Sequence, residues 1–225
     1  MIPKTPTSIT QVTWEERTAD RSPAVQRSRL RTVQQARVLI DAAIRLIAVK
    51  GDAFTTQELV KEAGVALQTF YRYFTSKDEL MLAVIADSIT SAADRWTAAS
   101  VDVQDPIDRL HFYITSIFET VERGGDDAAT ALFIVSTHWR LHRILPTELA
   151  AAEKPLVDLM LDEIRRAQAA GVLHPSNPEM DAWFVIELAR SVFHHYAYAP
   201  DRSEALKADL WNFCLKALGG TVHRP

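Results

Sequence analysis

An all-α fold is predicted by three observations. Apolar residues recur at the 3.6-residue helical period over most of the 225-residue chain. The periodic stretches are punctuated by capping residues, prolines and glycines of the kind that start and stop helices. No alternating apolar run bounded by hairpin residues reads as a strand, and no internal repeat is present. The reading comprises about nine helices: an N-terminal three-helix domain, then a larger helical bundle.

Residues 1–30 contain three prolines and several Ser and Thr, with no apolar period, and read as a flexible arm. Arg27, Arg29 and Arg31 end it, and basic arms of this sort can enter a minor groove or touch phosphates. The first helix is predicted over 33–50, where Leu39, Ala42, Ala43, Leu46 and Ile47 share one face, Lys50 lies in the last turn and Gly51 stops it.

The segment 55–77 organises the rest. Thr55 and Glu58 have capping-box spacing, Leu59, Val60 and Ala63 supply an apolar face, and Gly64 is placed to end a helix in the left-handed conformation. A second helix is predicted from about Ala66 to Phe74, anchored by Phe70 and Phe74. Its opposite face offers Gln68, Thr69, Arg72 and Tyr73, side chains long enough to reach base edges. Two short helices around a Gly-containing turn form the helix-turn-helix pattern.

Thr55-Thr-x-Glu-Leu59, Ala63-Gly64-Val65, Thr69-Phe-Tyr-Arg-Tyr-Phe74 and Ser76-Lys77 together resemble the DNA-binding domain of the tetracycline-repressor (TetR) family of bacterial regulators. The resemblance covers roughly residues 33–85. Ala66 departs from it, standing where the family usually has Ser or Thr, so the second helix lacks a side-chain cap. Leu67-Gln68 also departs. The resemblance implies that Gln68, Thr69, Arg72 and Gln57 read or approach bases, and that Thr55, Tyr71, Tyr73 and Lys77 hold phosphates. It further implies a homodimer, a pseudo-palindromic operator and a small-molecule effector.

Charge supports this division. From Arg27 to Lys77 nine Lys and Arg face four acids, a net +5; from Asp78 onward 13 face 22, a net −9. Phosphates attract the first segment and repel the second. The expected boundaries are therefore 31–75 for the helix-turn-helix domain, 76–218 for an effector-binding and dimerisation domain, and 219–225 for a tail.

Within 76–218, a helix capped by Ser76 is expected to run to about Ala98 and join the two domains. Asp105-Pro106 opens the next, expected to reach Glu122 before Gly124-Gly125. Further helices are predicted over 126–143, over 147–170 with Pro155 as a candidate kink, over 177–198, and over 201–218 before Gly219-Gly220. The last two carry Trp183, Ile186, Leu188, Phe193, Leu206, Leu210, Trp211, Phe213 and Leu215, more apolar surface than one helix face buries within a protomer. In the resembled family this pair of helices makes the dimer.

Candidate effector-pocket residues are His111, Tyr113, Phe118, Phe133, His138, Trp139, His142, Trp183 and His194. Aromatics with interspersed polar groups suit a mainly apolar ligand. His138 and His142, four apart, could instead begin a metal site with His111, His194 or His195. Alternatives are thus a helical metal-binding protein or enzyme, or an adaptor that has lost DNA binding. No Gly-rich phosphate loop, nucleophile elbow or His-Glu-x-x-His motif is present, and neither catalysis nor a cofactor is expected. The single cysteine, Cys214, reads as a buried thiol. With no apolar run of membrane-spanning length and no signal-peptide pattern, a cytoplasmic protein without a membrane partner is expected.

Overall fold

The computed structural model describes residues 23–122, 125–198 and 204–221. Those residues form ten helices and no strand: α1 Pro23–Lys50, α2 Thr56–Ala63, α3 Leu67–Tyr73, α4 Lys77–Ala99, α5 Pro106–Ser116, α6 Glu119–Glu122, α7 Gly125–Ile144, α8 Pro146–Ala169, α9 Pro178–Tyr198 and α10 Glu204–Ala217. Among them none is long and apolar enough to cross a membrane. Most of the arm expected over 1–30 lies outside the described residues.

Two boundaries differ from expectation. The first helix starts at Pro23, ten residues early, so Arg27, Arg29 and Arg31 are helical. Proline fits a first helical turn because its missing N–H would be unpaired there anyway. Nothing between Ala24 and Thr32 breaks a helix. This extension has no apolar period because it touches no core, and Leu30 and Val33 are exposed on it. The helix expected over 106–122 is divided into α5 and α6. Thr115 Oγ1 donates back to the carbonyls of His111 and Phe112 at 2.9 and 3.2 Å, a pattern that bends helices. The next bond, from Phe118 N to Thr115 O at 3.1 Å, spans only three residues.

Capping fixes most other termini. Asp105 accepts from the N–H groups of Ile107 and Asp108 at the start of α5. Asn177 Oδ1 accepts from Met180 N at the start of α9. Pro155 sits inside α8 without ending it.

The apolar side chains form two buried clusters. One joins Leu39, Ile47, Phe54, Leu59, Phe70 and Phe74 to Leu80–Ile85 of α4, and it also takes in Phe133 and Leu141 of α7 and Leu149 of α8. The other fills the bundle of α5, α7, α8, α9 and α10 and reaches α4 at Trp96. Helix α4 therefore belongs to both. The N-terminal head is not a separate ball on a linker; its core runs into the wall of the bundle. Cys214 is buried in the second cluster, and burial raises its thiol to about 11.

Candidate DNA interface and ligand cavity

The head presents its polar face as expected. Thr55 Oγ1 accepts from Glu58 N at 3.2 Å, while Glu58 Oε2 accepts from Thr55 N at 2.7 Å, closing the capping box. Glu58 is held down at about 2, first by the Lys50 ammonium and then by these Thr55 bonds. Gly64 ends α2 at φ 66°, a left-handed conformation that glycine adopts without a Cβ penalty. Ala66 gives α3 no side-chain cap. Phe70 and Phe74 face inward with ring centroids 6.0 Å apart. Gln57, Gln68, Tyr71 and Arg72 are exposed, with Thr69 and Tyr73 half-buried beside them. Gln68 and Arg72 lie four apart on one face of α3 and make no hydrogen bond or ion pair among the described residues.

Much of the positive charge of this segment is engaged internally. Arg37 pairs with Asp41 and Asp87, Arg45 with Glu62, and Lys50 with Glu58. Lys77, expected to hold a phosphate, has its ammonium engaged within the protein. Its ammonium donates to the carbonyls of Asp52 and Phe54 and sits over the Phe54 ring, 4.5 Å from its centroid. Burial lowers its pKa. Lys77 thus ties the start of α4 to the α1–α2 turn. Thr55 likewise spends its hydroxyl on Glu58.

A cavity of about 290 Å3 lies between α4, α7, α8 and α9. Helix α4 lines it from Ile85 to Trp96, α7 contributes Thr130, Ile134 and His138 at four-residue intervals, and Ile44 of α1 closes one side. A polar network crosses the otherwise apolar wall. His138, 2% exposed, has Nε2 2.9 Å from Glu153 Oε1 and 3.0 Å from Arg190 Nη1. Arg190 also pairs with Glu153 Oε2 and Glu187 Oε1, both at 3.1 Å. His194 completes the group, its ring centroid 5.7 Å from that of His138. Burial, then His138 and Arg190, lower its pKa, so it is neutral near pH 7.

Of the nine expected effector residues, only His138 and His194 line this cavity. Tyr113 is fully buried elsewhere, its hydroxyl 2.8 Å from Ser100 Oγ and 3.1 Å from Arg109 Nη2. Phe118 packs against Phe193 and Tyr196, and Phe133 belongs to the head's core. His111 lies against Trp211, with centroids 4.8 Å apart. Trp139 and His142 are exposed, their ring centroids 5.5 and 6.1 Å from that of His138, and Trp183 is exposed on α9. For Tyr113, Phe118 and Phe133, aromatic spacing marked burial rather than pocket lining. Asp87, Arg95, Glu153 and Arg190 line the cavity without having been expected. Two of them left a sequence signal. Arg190 interrupts the apolar stripe Ile186–Phe193, and Glu153 interrupts Leu149–Leu156; a charge set in such a stripe needs a buried partner. Among the described residues no three His, Cys, Asp or Glu side chains converge as a metal would require.

Residues 39–84 match the sequence profile described as "Bacterial regulatory proteins, tetR family". A curated relative, the uncharacterized HTH-type transcriptional regulator YvdT of Bacillus subtilis, is 34% identical over 89 residues, covering 39% of this chain and 46% of that protein. The chain spans about half the length of the curated relatives it matches. The fold extends further. The transcriptional regulator FadR of Bacillus subtilis, solved in complex with stearoyl-CoA, superposes with a TM-score of 0.65 at 18% identity, over 83% of this chain and 98% of that one. RolR in complex with resorcinol superposes with a TM-score of 0.60 at 17% identity, over 84% of this chain. At such identities the likeness speaks for the fold alone. The head, with its capped helix-turn-helix, thus matches the tetR family of bacterial regulatory proteins over residues 39–84, and the architecture beyond it is one shared with solved transcriptional regulators.

Proposed function

We propose that the protein is a homodimeric DNA-binding transcriptional regulator, a repressor released from its operator by a mainly apolar small molecule. The observation that carries this reading is the continuity between the two sites. Gln68 and Arg72 are exposed on α3 and make no hydrogen bond or ion pair among the described residues, and the core behind that face shares α4 and α7 with the cavity wall. Gln68 and Arg72 are assigned to base edges, Gln57, Thr69, Tyr71 and Tyr73 to neighbouring bases and phosphates, and Lys77 to positioning α4.

Two-fold pairing is supported by exposed aromatic surface at the far end. Trp183, Phe184 and Phe213 are 45%, 55% and 62% exposed on α9 and α10. Ile186, Phe193, Leu210 and Leu215 are buried within the protomer, so the interface narrows to the former set. A dimer would present two recognition helices to half-sites about one DNA turn apart.

A ligand can shift DNA affinity only by preferring one conformation, and moving the population from 1:99 to 99:1 takes about 5.5 kcal/mol of preference. A mainly apolar ligand suits the walls of Ile, Leu, Trp and Phe, and solved proteins of this fold hold small molecules, stearoyl-CoA in FadR and resorcinol in RolR. The test is fluorescence anisotropy on the DNA upstream of the protein's own gene. Binding should weaken steeply with salt and fall with Arg72→Ala. Binding indifferent to both would overturn the DNA-binding reading.

A further inference from the structure

The charges around the cavity are unevenly satisfied. Its two carboxylates are both taken: Asp87 by Arg37, and Glu153 by Arg190 at 3.1 Å and His138 at 2.9 Å. Its two arginines differ. Arg190 is held by Glu153 and Glu187, whereas Arg95 makes no hydrogen bond or ion pair among the described residues. The next residue, Trp96, also lines the cavity; it is 6% exposed and its indole N–H has no acceptor among the described residues. Asp94, on the other side of Arg95 in sequence, does not line the cavity. The space therefore contains unmatched donors and a positive charge, with no unmatched carboxylate. A cationic ligand would find no counter-ion, and a wholly apolar one would leave the indole N–H unpaired. The two histidines do not alter this balance: His138 Nε2 already lies against Glu153 and Arg190, and burial favours the neutral imidazole of His194, which can present either a donor or an acceptor.

Size narrows the class. About 290 Å3 corresponds to roughly ten water molecules at about 30 Å3 each. We propose that the cavity takes an anionic amphiphile of that size, a carboxylate on an apolar body, with the carboxylate received by Arg95 and the indole N–H of Trp96. The apolar body lies along α4 between Trp96 and Ile85, a run of about 16 Å at 1.5 Å per residue. This inference rests on reading the cavity as the effector site.

The test titrates the full-length protein with octanoate, octanamide, octylamine and 4-ethylbenzoate, following ligand affinity by calorimetry and DNA binding by anisotropy in parallel. One or both carboxylates should bind tightest, with octanamide about tenfold to a hundredfold weaker, the usual difference between a charge-assisted and a neutral hydrogen bond. Arg95→Gln should remove most of that preference, and Arg95→Lys should keep part of it. Arg95 is exposed and makes no hydrogen bond or ion pair among the described residues, so neither substitution threatens folding. Octylamine or octanamide binding as tightly as the carboxylates, no binding by any of the four, or an unchanged preference in Arg95→Gln would each overturn the proposal. The two readings fail separately. A neutral or cationic ligand that releases DNA leaves the regulator reading standing and removes this one. A carboxylate held through Arg95 that leaves DNA affinity unchanged does the reverse.

Discussion

The recognition helix and the cavity are both polar features on a helical scaffold, but they are built from different ranges of sequence. Thr55, Glu58, Gly64, Phe70 and Arg72 act within some twenty residues, and each bond that shapes the turn joins near neighbours. The cavity draws Ile44, Trp96, His138, Glu153 and Arg190 from five helices spread over the chain. One site is specified by local rules of capping and turn geometry. The other exists only once the bundle has packed. The comparison also separates their tolerances: the head buries its anchors fully, whereas residues beside the cavity already have open space on one side.

The sharpest way to break this comparison is to remove an anchor from each region. Phe70 is fully buried, and Phe70→Ala should cost about 3–5 kcal/mol. Phe193, 7% exposed, borders the cavity, so Phe193→Ala should cost less, because part of the space it leaves is already open. Urea denaturation of both variants checks the order. Equal losses would mean that the cavity is closed by relaxation around Phe193. Since Phe133 and Leu141 share the cluster of Phe70, the Phe70→Ala transition should remain a single step by circular dichroism.

A smaller effect follows for DNA. Arg72→Ala or Gln68→Ala should lose about 1–3 kcal/mol on the cognate operator and relax its specificity. Lys77→Ala should behave differently from a phosphate contact. It removes the tie to the carbonyls of Asp52 and Phe54, so thermal stability should fall along with affinity for every sequence. An unaltered melting temperature with a reduced salt slope would restore Lys77 to the phosphate. Smaller again is Ala66→Ser, which supplies the missing N-cap of α3 and should stabilise the head by about 1 kcal/mol.

The same division decides what was legible in the sequence. The capping box, the Gly64 turn, the Asp105-Pro106 start and the Phe70/Phe74 anchor could be read because their partners lie two to four residues away. The N-terminal extension of α1 could not be read from periodicity, since a helix exposed all round has no apolar face to repeat. The site of Lys77 was hidden because its partners are carbonyls 23 and 25 residues away, which any residue type supplies. For the cavity, aromatic content misled. Tyr113, Phe118 and Phe133 are core because large rings bury the most area. The better signal was a charge inside an apolar stripe, at Glu153 and Arg190.

The least costly perturbation tests how the two regions communicate. Helix α7 carries His138 in the cavity wall and, two residues on and therefore on the opposite side of the helix, Arg140. Arg140 Nη1 lies 2.7 Å from Asp78 Oδ1, in the first turn of α4, and its Nη2 lies 3.7 Å from Asp52 Oδ2, beside the carbonyl that holds Lys77. A ligand that displaces His138 thus moves a helix whose other face is tied to the turn preceding α2 and to the start of α4. The Arg140 and Asp78 side chains are 37% and 31% exposed, so the pair should contribute only about 0.2–1 kcal/mol to stability. Its weight lies in coupling. Arg140→Ala should leave ligand affinity and the melting temperature nearly unchanged while weakening ligand-driven release from DNA by about 0.5–2 kcal/mol, and Arg140→Lys should recover part of that loss. Anisotropy titrations at fixed and saturating ligand, on wild type and both variants, measure it directly. Full release in Arg140→Ala would place the coupling in the buried contacts of α4 alone, where Leu80–Ile85 and Trp96 join the two cores.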